Sequence, residues 1–197
     1  MKKAFLTGLI FLFVGLFIAV FPTEREGEIY ADTIRLHILA RSDSEYDQKI
    51  KLEIRDKLLL KYGSELSSYD SVASAENAID AILPSIEEDV DLWLSELGCD
   101  VKCNVYLTEE WYDTREYENF VLPRGTYTSL KVVIDEGEGK NWWCVMFPPL
   151  CLDIATEDAP KDDAMIGYNE EQINLIGKTK RYNVKFKVLE IISDIFA

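Results

Sequence analysis

The sequence predicts an α+β domain behind an N-terminal export or anchor helix, with helices packed on one face of a mostly antiparallel sheet. Three observations carry this expectation. Residues 4–21 contain no charge. Residues 42–97 repeat apolar side chains at helical spacing. From residue 101 to 147 the apolar period changes to two, the period of strands.

Lys2 and Lys3 precede the uncharged run, which is 18 residues long. That length is at the lower edge for a membrane-spanning helix and long for a signal-peptide core. Lysines in front of it fit a cytoplasmic N-terminus. Residues 1–21 therefore read as a signal peptide or membrane anchor, and either one exports the remainder of the chain. Residues 22–31, PTEREGEIYA, read as a polar linker. Residues 32–197 read as a single extracytoplasmic α+β domain.

Within that domain Ile34, Leu36 and Ile38 alternate with Arg35 and His37. This predicts a half-buried strand with Arg35 and His37 turned towards solvent or a groove. Ser42 and Glu45 have capping-box spacing and start a helix. Tyr46, Ile50, Ile54 and Leu58 form its stripe, and Gly63 is its expected stop. A second helical region covers 71–97, with Pro84 predicting a kink or two consecutive helices. Gly98 ends it.

Val101, Cys103, Val105 and Leu107 mark the next strand. Residues 108–123 read as a loop leading into a strand near 115–122, closed by a turn at 123–125. A strand over 126–135, a hairpin loop over 136–140 and a returning strand over 141–147 come next. Pro148 and Pro149 end the last of these. Residues 152–180 are acidic and irregular, with a weak helix expected near 162–175. Val184, Val188, Ile191, Ile192 and Ile195 suit a terminal helix.

The charge balance bounds the function. With 36 acidic against 21 basic residues the net charge is -15, which disfavours a nucleic-acid binder. Four cysteines, Cys99, Cys103, Cys144 and Cys151, permit disulfides outside the cytosol, and their pairing is open between disulfides and buried thiols. Their spacing matches no common zinc finger. Asp135, Glu136 and Glu138 lack EF-hand spacing. No metal and no cofactor is expected.

One histidine constrains catalysis, because any Ser-His or Cys-His pair must use His37. Cys144 is the cysteine in the most unusual company, NWWC at 141–144. On a strand Trp142 and Cys144 face one way and Trp143 the other. At least one tryptophan then covers the second face or meets solvent, where it would anchor an interface. The candidate partner-binding residues are Arg35, His37, Arg115, Asn141, Trp142 and Trp143.

Three blocks carry a family resemblance: IRLHILARSDSEYDQKIKLEIRD at 34–56, TREYENFVLPRGTY at 114–127 and LKVVIDEGEGKNWWCVMFPPLC at 130–151. They resemble the stage II sporulation protein R family. Arg41 departs from the Asn of that pattern. The resemblance implies a protein made in the forespore and exported into the space between forespore and mother-cell membranes. There it would trigger a membrane-bound aspartic protease of the mother cell, which processes the sigma factor E precursor. It implies a signal and not an enzyme. The alternative is an exported thiol hydrolase acting on envelope material through Cys144 and His37.

Overall fold

The computed structural model describes residues 2–20, 24–117, 120–151 and 168–177. Helix α1, Lys2–Val20, is apolar after its two lysines. Leu6, Ile10, Phe11, Leu12 and Phe13 are all exposed. Its 19 residues reach about 28 Å, just under a bilayer core of about 30 Å. Among the described residues no helix is long and apolar enough to cross a membrane.

The expected linker at 22–31 is corrected. Helix α2 occupies Glu24–Ala31. Its last turn belongs to the domain, because Ile29 is fully buried and the Tyr30 ring packs edge-on against Tyr127 at 5.0 Å. Gly125 permits this approach, since a Cβ there would meet the Tyr30 ring at 2.6 Å.

The main sheet has four strands: β1 (Ile34–Leu39), β2 (Cys103–Tyr112), β5 (Gly125–Ile134) and β6 (Asn141–Phe147), in the order β2-β5-β1-β6. β1 runs parallel to β5 and antiparallel to β6, and β2 runs antiparallel to β5. A two-stranded arm, β3 (Arg115–Glu116) with β4 (Val121–Leu122), follows β2.

This order overturns the hairpin expected at 136–140. β5 and β6 do not pair, because β1 lies between them. Residues 135–140 instead bridge the end of β1. Gly139 N donates to Ala40 O at 2.8 Å, Lys140 N donates to Asp43 Oδ1 at 2.7 Å, and Lys51 Nζ donates to Lys140 O at 2.9 Å. A charged surface tip is thus a fixed crossover packed on the strand–helix corner.

Two long helices cover one face. α3, Glu45–Leu58, presents Ile50, Ile54 and Leu58. Its N-cap is Ser44, whose side chain accepts from Asp47 N, so the Ser42–Glu45 box does not form. Ser42 is engaged elsewhere: its hydroxyl donates to Asp47 Oδ2 at 2.5 Å, and Arg41 pairs with the same carboxylate. Gly63 does not stop the helix. The chain passes through a π-helical turn, Leu59–Gly63, into α4, Ser64–Leu66. Burial of Leu59, Tyr62 and Leu66 outweighs the weak helix propensity of one glycine.

α5 is continuous over Val72–Glu96, despite Pro84. Both Pro84 and Asp80, whose carbonyl loses its partner, lie on the exposed side. Water can satisfy that carbonyl, so the helix need not break there. Gly98, at φ +76°, ends the helix as expected. Short helix α6, Glu170–Ile176, falls within the acidic segment, whose residues 152–167 and 178–180 lie outside the described residues. The expected terminal helix also lies outside them.

Candidate functional site

Strand register sorts the side chains of the sheet into two sets. Ile34, Leu36 and Ile38 share a face with Leu130, Val132, Trp142 and Cys144. Arg35 and His37 share the opposite face with Tyr127, Ser129, Lys131 and Trp143. From β2 the second face receives Glu110 and Tyr112. The helices α3 and α5 cover the first face, and the second is built from charged and aromatic groups.

Arg35 and His37 are not turned to solvent. Arg35 is fully buried and His37 is 8% exposed, because β1 is a central strand with the arm against its polar side. The Arg35 guanidinium lies 4.3 Å from the Tyr112 ring centre, 5.2 Å from Tyr127 and 5.8 Å from Tyr117. Its Nε donates to Cys144 O at 3.0 Å and its Nη2 to the Tyr117 hydroxyl at 2.7 Å. Aromatic faces and two oxygens replace much of the water that the cation gave up.

His37 Nδ1 lies 2.8 Å from Glu110 Oε2, and Lys131 Nζ donates to Glu110 Oε1 at 2.7 Å. Burial pushes the Glu110 carboxyl up, but the hydrogen bonds from Lys131 and His37 outweigh it and hold the group below its ordinary range. Burial raises the phenol pKa of Tyr112, Tyr117 and Tyr127, so all three keep their protons at neutral pH. The His37 ring stacks on Trp143 at 5.5 Å, and the Arg115 guanidinium lies 3.8 Å from the centre of that same ring.

Of the candidate residues, Arg35, His37, Arg115 and Trp143 therefore meet in one cluster. Trp142 does not join them. It points to the helix side, where Arg55 lies 4.6 Å from its ring centre. Asn141 is exposed at the start of edge strand β6. Sequence reasoning missed Glu110, Tyr112, Tyr117, Tyr127 and Lys131. The signal available was the polar and aromatic character of alternate positions on β2 and β5, opposite Leu107, Leu130 and Val132.

Cys144 and Cys151 form a disulfide, while Cys99 and Cys103 are buried free thiols. Burial pushes the Cys103 thiol up to about 12, which removes it as a nucleophile at neutral pH. Cys144 pairs in register with Leu36, and His37 with Trp143. Cys144 and His37 thus point to opposite faces of the sheet. Among the described residues no cluster of His, Cys, Asp and Glu could hold a metal ion.

The model of the stage II sporulation protein R family matches residues 30–157, a span that contains all four strands of the main sheet and the whole cluster. The chain belongs to that family. The stage II sporulation protein R of Bacillus subtilis (strain 168) is 31% identical over 182 residues, covering 83% of this chain and 81% of the relative. No solved structure matches the chain. Family membership assigns this chain a role in sporulation, and the cluster lies within the family's matched span.

Proposed function

We propose that this protein is a signal exported from the forespore that docks on a membrane-bound aspartic protease of the mother cell and activates it. Processing of the sigma factor E precursor is the result. Family membership is the observation that carries the reading. Three structural features support it. The apolar helix α1 begins with Lys2 and Lys3, as an export or anchor segment does. The Cys144–Cys151 disulfide suits an oxidising space outside the cytosol. Partly exposed Arg115 and Trp143, beside buried Arg35 and His37 and with exposed Asn141 on the neighbouring strand edge, offer a docking face rather than a reaction centre.

The protein acts without catalysis in this reading. The hydrolase alternative needs Cys144 beside His37, and strand alternation separates them. Activation then requires tighter binding to the active state of the protease than to its inactive state. The test is reconstitution in non-sporulating cells that express the protease and its sigma precursor. The shortened sigma factor should appear only when this protein is present and exported. Equal processing by a form lacking residues 1–21 and kept in the producing cell's cytoplasm would refute an exported signal.

A further inference from the structure

The cluster contains more cationic donor capacity than its neighbours use. Among the described residues, Arg35 Nη1 and Arg115 Nε are buried without a hydrogen-bond partner, and so is His37 Nε2. A buried guanidinium N–H left unpaired is costly, and native proteins rarely retain several in one place. The charges are also unequal. Among the described residues, Arg35 and Arg115 pair with no carboxylate, and Glu110 is shared by Lys131 and His37. This local positive excess lies in a chain of net charge -15.

We propose that the cluster is a binding site for one carboxylate on an acidic segment of a partner protein. The proposal rests on the docking role given above. Arg35 and Arg115 would each donate to the incoming carboxylate. His37 Nε2 would add a third donor when the ring carries both protons. Arg115 is the outer wall: it is partly exposed, and its guanidinium lies 3.8 Å from the Trp143 ring centre. Arg115 stands on β3, which pairs with β4 at two positions. A monoanion suits the site better than a phosphate dianion, because Glu110 is already present and would repel the second charge. Planar guanidinium groups also match the geometry of a carboxylate.

The single histidine makes the site readable. The His37 ring protons give a unique NMR signal, which can be followed in the full chain held in non-ionic detergent at constant pH. The probes are a capped pentaglycine peptide with a central glutamate, its glutamine analogue, and sodium acetate. The glutamate peptide should shift the His37 signal saturably, and the glutamine analogue should bind at least about tenfold more weakly. Arg115→Gln, folded by circular dichroism, should weaken the glutamate peptide by about tenfold, with partial recovery in Arg115→Lys. No saturable shift up to about 10 mM peptide would overturn the site. Acetate binding as tightly as the peptide would overturn the assignment to a protein segment in favour of a free carboxylate. The readout needs no protease. Binding without sigma processing would sink the signalling role and leave the site, whereas processing that survives Arg115→Gln would sink the site's part in docking alone.

Discussion

On one side of β1, Ile34, Leu36 and Ile38 disappear beneath two long helices. On the other, Arg35 and His37 lie among tyrosines, a tryptophan and a glutamate. Both sides are buried, yet they differ in kind. The helix side gains from removing apolar surface from water, at about 25 cal/mol per Å². The polar side gives up solvation of its charges and recovers it only where partners are placed well. Here several donors are not so placed. In the docking role proposed above, one strand divides two tasks between alternate residues: stability on one face and recognition on the other.

The division predicts unequal responses. Leu36→Ala, on the helix side, should lower unfolding free energy by about 2–5 kcal/mol in a urea titration. A loss under about 1 kcal/mol would mean that the helices do not close on the strand. Replacing Cys144 and Cys151 together by serine should remove about 2–3 kcal/mol by the same assay. Sigma processing should persist wherever the variant stays folded. A stable variant that fails to signal would reopen a thiol role.

Arg35→Met asks whether the polar face is built for stability. Replacing a buried charge by an apolar group of similar length should change stability by less than about 2 kcal/mol, in either direction. Sigma processing should fall sharply all the same. Loss of both together would make Arg35 a structural residue.

Titration gives a milder test. The carboxyls of Asp47, Asp89, Asp91 and Glu110 are held below their ordinary range in the fold, where hydrogen bonds from basic and hydroxyl neighbours outweigh burial. Their contribution is present above the usual carboxylate range, about pH 4, and is lost as pH falls through it. Burial raises Tyr112, Tyr127 and Tyr168, so their contribution is complete below about pH 10 and is lost as pH rises beyond it. The urea midpoint should therefore fall at both ends. Glu110→Gln should soften the acid limb while leaving the alkaline limb in place. An unchanged acid limb would mean that Glu110 is not tied to Lys131 and His37.

The sequence is legible where the physics is local. The alternation of β1, the stripe of α3, the Gly98 stop and the Pro148–Pro149 end all depend on neighbours in the chain. The insertion of β1 between β5 and β6 does not. Nothing near residues 136–140 distinguishes a hairpin from a crossover, because the deciding partner, Ala40, lies about a hundred positions away. The same insertion hides the true environment of Arg35 and His37. A polar position on a central strand looks like one on a half-exposed strand until the second covering layer is known. Alternation alone splits Trp142 and Trp143 between two faces, yet only the sheet order says which of them joins His37.

The most direct measurement sets the two faces against each other in reconstituted signalling. Arg115→Gln and Trp143→Ala alter the polar face, and Trp142→Leu alters the helix face. Each would be exported beside the protease and its precursor, with protein level followed by blot. The account predicts that the first two lose sigma processing at unchanged level, while Trp142→Leu retains it. Processing that survives both polar-face variants and fails with Trp142→Leu would contradict it.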